Sequence, residues 1–154
     1  MTVEHAVGDL FSSDLPAIGH GCNCAGRMGK GIAVEFKRRW PPMFDEYRRR
    51  CLEGEFGLGD ILVWEANDRI VFNLGTQQTW RTRAQLWAID ASTRKMLDWA
   101  EAHSVRAVGL PRIGAGLGGR EWSEVQRTFE SAAGDSPVRL VVFASPPERE
   151  AESP

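Results

Sequence analysis

The sequence lacks the features that mark secreted, disulfide-bonded or membrane-spanning proteins. It has only three cysteines among 154 residues, an odd number that makes a poor disulfide framework and suits a reducing compartment. No apolar run approaches the length of a membrane span, and the first residues lack the charged and apolar parts of a signal peptide. We therefore expect a cytoplasmic protein without a membrane segment, in which Cys22 and Cys24 are free thiols.

The chain also lacks an excess of positive charge. Its formal net charge is -2 and its pI is near 5.9, which argues against a general attraction to nucleic acid, although the basic cluster Arg48 to Arg50 could be a local exception. Apolar residues make up 42% and charged residues 26% of the chain, as in ordinary folded proteins. We expect one monomeric domain over residues 1–145 and a disordered tail over residues 146–154.

Metal ligands are also scarce. His20, Cys22 and Cys24 are close in sequence, but a zinc site usually needs four ligands arranged as two pairs, and the chain offers no second pair. We therefore predict that the protein works with neither a metal nor an organic cofactor.

Short β-rich runs bounded by turn residues predict six strands, and helical periodicity predicts four helices. The strands are expected at residues 3–7, 17–21, 60–66, 69–75, 105–111 and 138–144. The two-residue linker Asn67-Asp68 predicts that the third and fourth strands are antiparallel neighbours. The helices are expected from about residue 31 to before Pro41, then at residues 42–52, 84–103 and 121–132. This order indicates a mixed α/β fold.

Two glycine-rich segments each follow a strand and open a helix. The first, residues 19–40, fails the P-loop test because Gly31 stands where Ser or Thr should bind magnesium. The second, residues 110–122, contains G-x-G-x-x-G from Gly114, but the single strand after it leaves no room for a Rossmann half-domain. Both offer backbone N–H groups that can cradle phosphate oxygens. We interpret them as holding a diphosphate, the alternative being two tight turns whose glycines only supply positive φ.

Two further residues have both a structural and a ligand-binding interpretation. Asp9 follows the first strand, where its carboxylate could accept a hydrogen bond from the exocyclic amine of adenine or could cap a turn. Trp80 lies in the polar segment GTQQTWRTR, where no periodicity explains it, and could contact a ligand or anchor the loop.

Together these segments resemble the macrodomain family. The matching motifs occur in order along nearly the whole chain: GDL at 8–10, HGCN leading to RMGKGIAVEFK at 27–37, FNLGTQ at 72–77, LPRIGAGLGG at 110–119 and VVF at 141–143. The branch that it resembles most contains the terminal ADP-ribose glycohydrolases and the antitoxin that removes ADP-ribose from DNA. The resemblance implies a three-layer α/β/α fold with a mixed six-stranded sheet that binds ADP-ribose.

The resemblance also implies roles for individual residues. Asp9, with Leu10 beside it, would bind the adenine amine, and Phe143 would pack on adenine. Asn23 and Met28 would lie along the distal ribose. The diphosphate and distal ribose would be lined by Gly29, Gly31, Ile32 and Ala33. The second phosphate loop would consist of Gly114, Ala115, Gly116, Leu117 and Gly118.

The sequence departs from this branch at two positions. The glycohydrolases of the branch have a lysine after the threonine matched by Thr76 and an aspartate after the Gly-Leu of the second loop, whereas this chain has Gln77 and Gly118. Gln77 carries no ammonium and Gly118 no carboxylate, which excludes the lysine-dependent mechanism unless Lys30 substitutes for the missing lysine. The family resemblance then implies a bound water that attacks the anomeric carbon, with Asn23, Thr76 and Gln77 placing the water or the leaving group.

We therefore expect a hydrolase that removes mono-ADP-ribose from acidic side chains of proteins, because a carboxylate leaves without much acid assistance. Its partners would be ADP-ribose and ADP-ribosylated proteins. One alternative is an ADP-ribose reader without turnover, and another is a phosphatase acting on ADP-ribose metabolites. A further alternative is a hydrolase of ADP-ribosylated DNA, since Trp80 and Arg81 resemble the antitoxin's loop and could stack on and pair with a nucleotide.

Overall fold

The strands form one mixed sheet in which a single strand runs antiparallel to its neighbour. The computed structural model describes residues 3–144. Within them the strands are β1 (Val3–Val7), β2 (Ala17–Asn23), β3 (Ile61–Glu65), β4 (Ile70–Gln77), β5 (Ala107–Pro111) and β6 (Arg139–Ala144). Their order across the sheet is β1-β6-β5-β2-β4-β3. All neighbouring pairs are parallel except β3 and β4, which confirms the predicted six strands and the antiparallel hairpin.

Four helices cover the two faces of this sheet. They are α1 (Ala33–Arg39), α2 (Pro41–Leu52), α3 (Leu86–Ala102) and α4 (Trp122–Ala133). Alternate residues of a strand point to opposite faces, so Phe72 and Leu74 of β4 pack with residues of α3 and α4, whereas Val71 packs with Phe36 of α1 and Met43 of α2. The residues from Val71 to Thr76 are therefore all buried. The arrangement confirms the predicted three-layer α/β/α fold.

Prolines and long-range bonds set the helix boundaries. Pro41 occupies the first position of α2, where its missing N–H costs no hydrogen bond, so α2 starts one residue before the prediction. α3 starts at Leu86 rather than at residue 84. The N–H groups of Ala84 and Gln85 donate instead to the carbonyl oxygens of Gly118, at 2.9 Å, and of Thr76, at 2.8 Å. These contacts hold the chain extended beside the candidate site.

No helix in the part of the chain from residue 3 to residue 144 is long and apolar enough to cross a membrane. The predicted domain end at residue 145 and the predicted tail lie outside the described residues.

Candidate functional site

The candidate residues lie at the carboxyl edge of the parallel strands. Asp9 follows β1, Asn23 ends β2, Gln77 ends β4, and Phe143 lies near the end of β6. The second glycine loop, residues 112–121, follows β5 and leads into α4. Open α/β sheets bind their ligands at this edge. The topology therefore brings residues from five separate parts of the sequence to one side of the molecule.

Asn23 begins the first glycine loop, which we define as residues 23–32. A register shift between Cys22 and Asn23 pairs Asn23 with Gln77 of β4. The Oδ1 atom of Asn23 accepts hydrogen bonds from the backbone N–H of Ala25 at 3.0 Å and of Arg27 at 3.3 Å, and Nδ2 donates to the Arg27 carbonyl at 2.8 Å. The amide of Asn23 thus holds the start of the loop, residues 23–27, in its fold.

The rest of the first glycine loop is open towards the solvent. A Cβ atom added at Gly29 would meet no other atom within 4 Å, and Gly31 has a φ of +63°. This conformation and this space suit a close approach of a ligand to the backbone. Ile32 and Ala33 are partly buried, whereas the Met28 side chain is buried in a hydrophobic cluster with Cys22, Cys24 and Tyr47. The predicted contact of Met28 with a ribose would therefore have to involve its backbone.

We call the space between the two glycine loops the cleft. Thr76 and Gln77 lie beside it at the end of β4, where Gln77 is paired with Asn23. Thr76 is buried, and its hydroxyl donates to the Cys22 carbonyl at 3.4 Å. The Gln77 Nε2 atom donates to the carbonyl oxygens of Thr79 at 2.9 Å and Thr82 at 3.2 Å. No described residue donates a hydrogen bond to Gln77 Oε1, which lies 3.6 Å from the position that a Cβ of Gly118 would take. This oxygen can accept a hydrogen bond from a water in the cleft.

The second glycine loop contains a 3-10 turn over Gly116–Gly118. Gly116 has a φ of +60°, and a Cβ there would meet nothing within 4 Å. The backbone of Leu117 lies in the same turn, next to Ala115 at its start. Arg120 Nε donates to the Ala84 carbonyl at 2.7 Å, and Arg83 Nε donates to the Gly119 carbonyl at 3.3 Å. The segment between β4 and α3 therefore fixes the second glycine loop from the side.

Asp9, Leu10 and Phe143 lie together at the other end of this edge. Leu10 Cδ1 and Phe143 Cε2 both approach Gly109, at 2.9 Å and 3.2 Å from the position of an added Cβ. Phe143 lines a groove of about 580 Å³ with residues 13–16 and the start of β5. The Asp9 carboxylate accepts hydrogen bonds from the Phe11 N–H and the Ser12 hydroxyl, both at 2.9 Å. It caps the turn Leu10–Ser12, which is the structural role that the sequence left open.

The polar core beneath the first glycine loop contains a buried histidine and two thiols. His20 Nε2 and Asn73 Oδ1 are 2.7 Å apart, and the Cys22 Sγ lies 3.4 Å from His20 Nε2. Burial lowers the pKa of His20 to about 4 and raises the pKa values of both thiols, that of Cys24 to about 12. Thiols in this state are poor nucleophiles. Among residues 3–144, no group of three or more His, Cys, Asp or Glu side chains could hold a metal ion.

Trp80 stands at the mouth of the cleft. Its side chain is 41% exposed, in the loop between β4 and α3 that Gln77 holds in place. Lys30 Nζ of the first glycine loop lies 5.3 Å from the centre of the indole ring, and the Arg81 guanidinium lies 4.6 Å from it. An exposed ring flanked by two cations can stack on a flat group beside a phosphate.

Sequence reasoning missed three residues that shape this site. Tyr47 of α2 bonds to Asn23, and Arg83 and Arg120 brace the second glycine loop. Only Tyr47 carried a signal, because it is the single tyrosine of the chain and follows Met43 by one helical turn on the buried face of α2. The arginine contacts join distant segments and leave no local pattern.

The family model named Macro domain matches residues 20–129, and the chain belongs to this family. Among the relatives that the chain resembles in sequence are two whose names describe different activities. The DNA ADP-ribosyl glycohydrolase of Mycobacterium tuberculosis is 33% identical over 92% of this chain. The ADP-ribose 1''-phosphate phosphatase of Candida albicans is 27% identical over 83% of the chain and is matched over 92% of its own length.

The structural comparison agrees with the sequence comparison. The macrodomain of Mycobacterium tuberculosis DarG superposes with a TM-score of 0.85 at 33% identity, covering 96% of this chain and 99% of that one. The structure described as Thermosipho africanus DarTG in complex with ADP-ribose has a TM-score of 0.81 at 21% identity, which shows the shared fold. The chain spans 42% of the length of the mycobacterial glycohydrolase that it matches.

Proposed function

We propose that this macrodomain hydrolyses the bond between ADP-ribose and a nucleobase of single-stranded DNA. The observation that carries the choice of acceptor is the partly exposed Trp80 ring, near whose centre lie two cations, Lys30 at 5.3 Å and Arg81 at 4.6 Å. A nucleobase can stack on the ring while the adjacent phosphodiester meets a cation. The similarity to a DNA ADP-ribosyl glycohydrolase supports the same acceptor.

The two glycine loops would bind the diphosphate of the modified substrate through backbone N–H groups. The open space above Gly29 and Gly116 leaves room for phosphate oxygens on both sides of the cleft. Asp9, Leu10 and Phe143 lie at the carboxyl ends of the neighbouring strands β1 and β6 and would receive the adenine end. The distal ribose would then lie over the ends of β2 and β4, where Asn23 and Gln77 are paired.

Hydrolysis in this site would depend on positioning rather than on an acid or a base. A water that donates a hydrogen bond to Gln77 Oε1 would attack the anomeric carbon and form the new C–O bond. The bond between the anomeric carbon and the nucleobase would break, and its electron pair would leave with the nucleobase. The proton lost by the water ends on the released acceptor or in solvent. Asn23, Thr76 and Gln77 do not titrate near neutral pH, so alignment of the water and stabilisation of the oxocarbenium-like transition state would supply the rate.

An ester to glutamate or aspartate is the second candidate substrate. A carboxylate leaves without protonation, and none of the three catalytic candidates can act as a general acid. A small protein-linked ester has no need of Trp80, however, whereas a nucleobase does. The role of Trp80 therefore separates the two acceptors.

The test measures release of free ADP-ribose by mass spectrometry from two substrates, a single-stranded oligonucleotide and a protein that are each mono-ADP-ribosylated. We expect release from the oligonucleotide, with an approximately tenfold loss of kcat/KM in Trp80→Ala through the lost stacking. Trp87→Ala is the matched control, because Trp87 is also an exposed tryptophan but lies in the first turn of α3 without the two cations.

If ADP-ribose is released only from the modified protein, and Trp80→Ala does not change that release, the substrate is an ester to an acidic side chain rather than modified DNA. If ADP-ribose binds saturably but is released from neither substrate, the protein is an ADP-ribose reader without hydrolase activity. Turnover of ADP-ribose 1''-phosphate alone would favour a phosphatase.

A further inference from the structure

The single tyrosine of the chain, Tyr47, lies outside the cleft but donates a hydrogen bond to Asn23 at the start of the first glycine loop. Tyr47 is fully buried on α2. Its hydroxyl lies 2.7 Å from the Asn23 carbonyl oxygen, 2.9 Å from Asn23 Oδ1 and 3.3 Å from the Arg27 carbonyl oxygen. Three acceptors from one loop therefore converge on one donor.

The acceptors belong to a closed network. Asn23 Oδ1 also accepts from the N–H groups of Ala25 and Arg27, and Asn23 Nδ2 donates to the Arg27 carbonyl. The network fixes residues 23–27, and the chain continues from there into Met28 and the open glycines of the first glycine loop. The geometry of that loop thus depends on how firmly residues 23–27 are held.

The same helix packs against the loop at a second point. Gly26 has a φ of +81°, and a Cβ added there would lie 3.3 Å from Arg48 Cγ and 3.5 Å from Cys51 Cβ. The Met28 side chain is buried in the same cluster as Tyr47. Helix α2 therefore forms the floor on which the start of the first glycine loop rests.

Packing of the aromatic ring does not explain why residue 47 is a tyrosine rather than a phenylalanine. The Tyr47 ring contacts Phe56 edge-on, with centroids 5.6 Å apart, and Phe44 at 6.1 Å. A phenylalanine could make both contacts. A buried hydroxyl costs free energy unless it is hydrogen-bonded, and the oxygen atoms that accept from it here belong to Asn23 and Arg27 of the first glycine loop.

We propose that Tyr47 is a positioning residue, whose hydroxyl acts through Asn23 to hold the first glycine loop ready for the diphosphate and distal ribose. The inference rests on the proposed function for its effect on turnover, but not for its effect on ADP-ribose binding. Preorganisation of a loop lowers the entropy that binding must remove. Loss of the hydroxyl therefore weakens binding without removing any group that touches the ligand.

The test is a double-mutant cycle between Tyr47→Phe and Asn23→Ala, read by calorimetric titration with ADP-ribose. We expect Tyr47→Phe to weaken ADP-ribose binding about fivefold to tenfold, as for one lost hydrogen bond. We expect Asn23→Ala to cost much less in the Tyr47→Phe background than alone, because the two groups act as one unit. Additive effects of the two substitutions would overturn the proposal.

Loss of general stability is controlled by a variant in the other core. Phe129→Leu removes packing on the α3 and α4 face, where Phe129 is fully buried, and its unfolding temperature is compared with that of Tyr47→Phe. Equal loss of ADP-ribose affinity in both variants at equal stability would contradict a positioning role. Hydrogen exchange gives a direct readout, since the amides of Ala25 and Arg27 should exchange faster in Tyr47→Phe while those of the sheet stay unchanged.

A second variant keeps the proposal testable if Tyr47→Phe does not fold. Asn23→Asp retains the oxygen that accepts from Tyr47 but loses the donor to Arg27, so the amides of Ala25 and Arg27 should exchange more slowly in it than in Asn23→Ala. Equal exchange rates of these amides in the two variants would overturn the proposal. A wild-type protein that releases no ADP-ribose would refute the hydrolase, whereas the affinity cycle would still decide the role of Tyr47.

Discussion

The two glycine loops are fixed by different kinds of contact. The first rests on α2 through the buried Tyr47 hydroxyl and the Asn23 amide. The second is held from the side by Arg83 and Arg120, whose bonds go to the backbone carbonyls of Gly119 and Ala84. The first loop is therefore coupled to the core, and the second is coupled to the segment that carries Trp80. Binding of the ADP-ribose part of the substrate would depend on both loops. Recognition of the modified nucleobase would depend mainly on the second loop.

The largest effect is expected where a side chain would fill the cleft. Gly116→Glu should weaken ADP-ribose binding by roughly a hundredfold or more, because bulk and negative charge would replace the open space for the diphosphate. Gly54→Glu is the matched control. Gly54 also has a positive φ, +73°, and open space around its Cβ position, but it lies outside both glycine loops. Calorimetry that finds normal affinity in Gly116→Glu would refute the role of the second loop.

Acid should lower the free energy of unfolding through His20, which is buried beneath the first glycine loop. Because the pKa of buried His20 is lowered to about 4, its contribution to stability is complete above its ordinary pKa of about 6.5 and is lost as the pH falls towards 4. The expected loss is about 3 kcal/mol at the acid limit, since each pKa unit corresponds to ~1.4 kcal/mol. Denaturant unfolding between pH 7 and pH 4 measures it.

The control for the acid effect is His20→Gln, which keeps a hydrogen-bonding side chain near Asn73 but does not titrate. Its unfolding free energy should fall less steeply with acid. An unchanged slope would show that other groups cause the loss.

The adenine end belongs to neither loop and gives an independent anchor. Asp9→Ala should weaken ADP-ribose binding by about 1–3 kcal/mol through the lost charge-assisted hydrogen bond. Asp9→Asn keeps the cap of the turn Leu10–Ser12, so it should lose affinity with little change in unfolding temperature. If Asp9→Asn binds normally in calorimetry and Asp9→Ala does not, the role of Asp9 is to cap the turn.

The smallest effect is expected from loosening the second loop. Arg120→Ala removes the donor to the Ala84 carbonyl and should lower ADP-ribose affinity by about 1 kcal/mol. Arg94→Ala is the control, since Arg94 also donates to a backbone carbonyl, that of Ser131, but joins α3 to α4. Titration curves that coincide for the two variants would mean that the arginine does not shape the cleft.

The sequence predicted the elements of the fold because their patterns are local. The strand run predicted at residues 69–75, observed as Ile70–Gln77, and the helix break at Pro41 carry their signals within a few residues. The start of α3 was placed two residues early, because the bonds from Ala84 and Gln85 to distant carbonyls override helical propensity.

The glycines and the family resemblance predicted the site. The sequence did not predict the residues that hold the glycine loops in place. Tyr47 lies 24 positions from Asn23, and Arg83 lies 36 positions from Gly119. Such contacts appear only after folding. The assignments of Asp9, Asn23, Gln77 and the glycine loops to parts of a ligand stay predictions.

The central claim is tested most directly by following ADP-ribose release from a mono-ADP-ribosylated single-stranded oligonucleotide in heavy-oxygen water. The account predicts free ADP-ribose that carries one heavy oxygen at the anomeric position, formed at a rate that is flat from about pH 6 to pH 8 because Asn23, Thr76 and Gln77 carry no ionisable group that acts as acid or base. Tight ADP-ribose binding with an intact oligonucleotide adduct would contradict it.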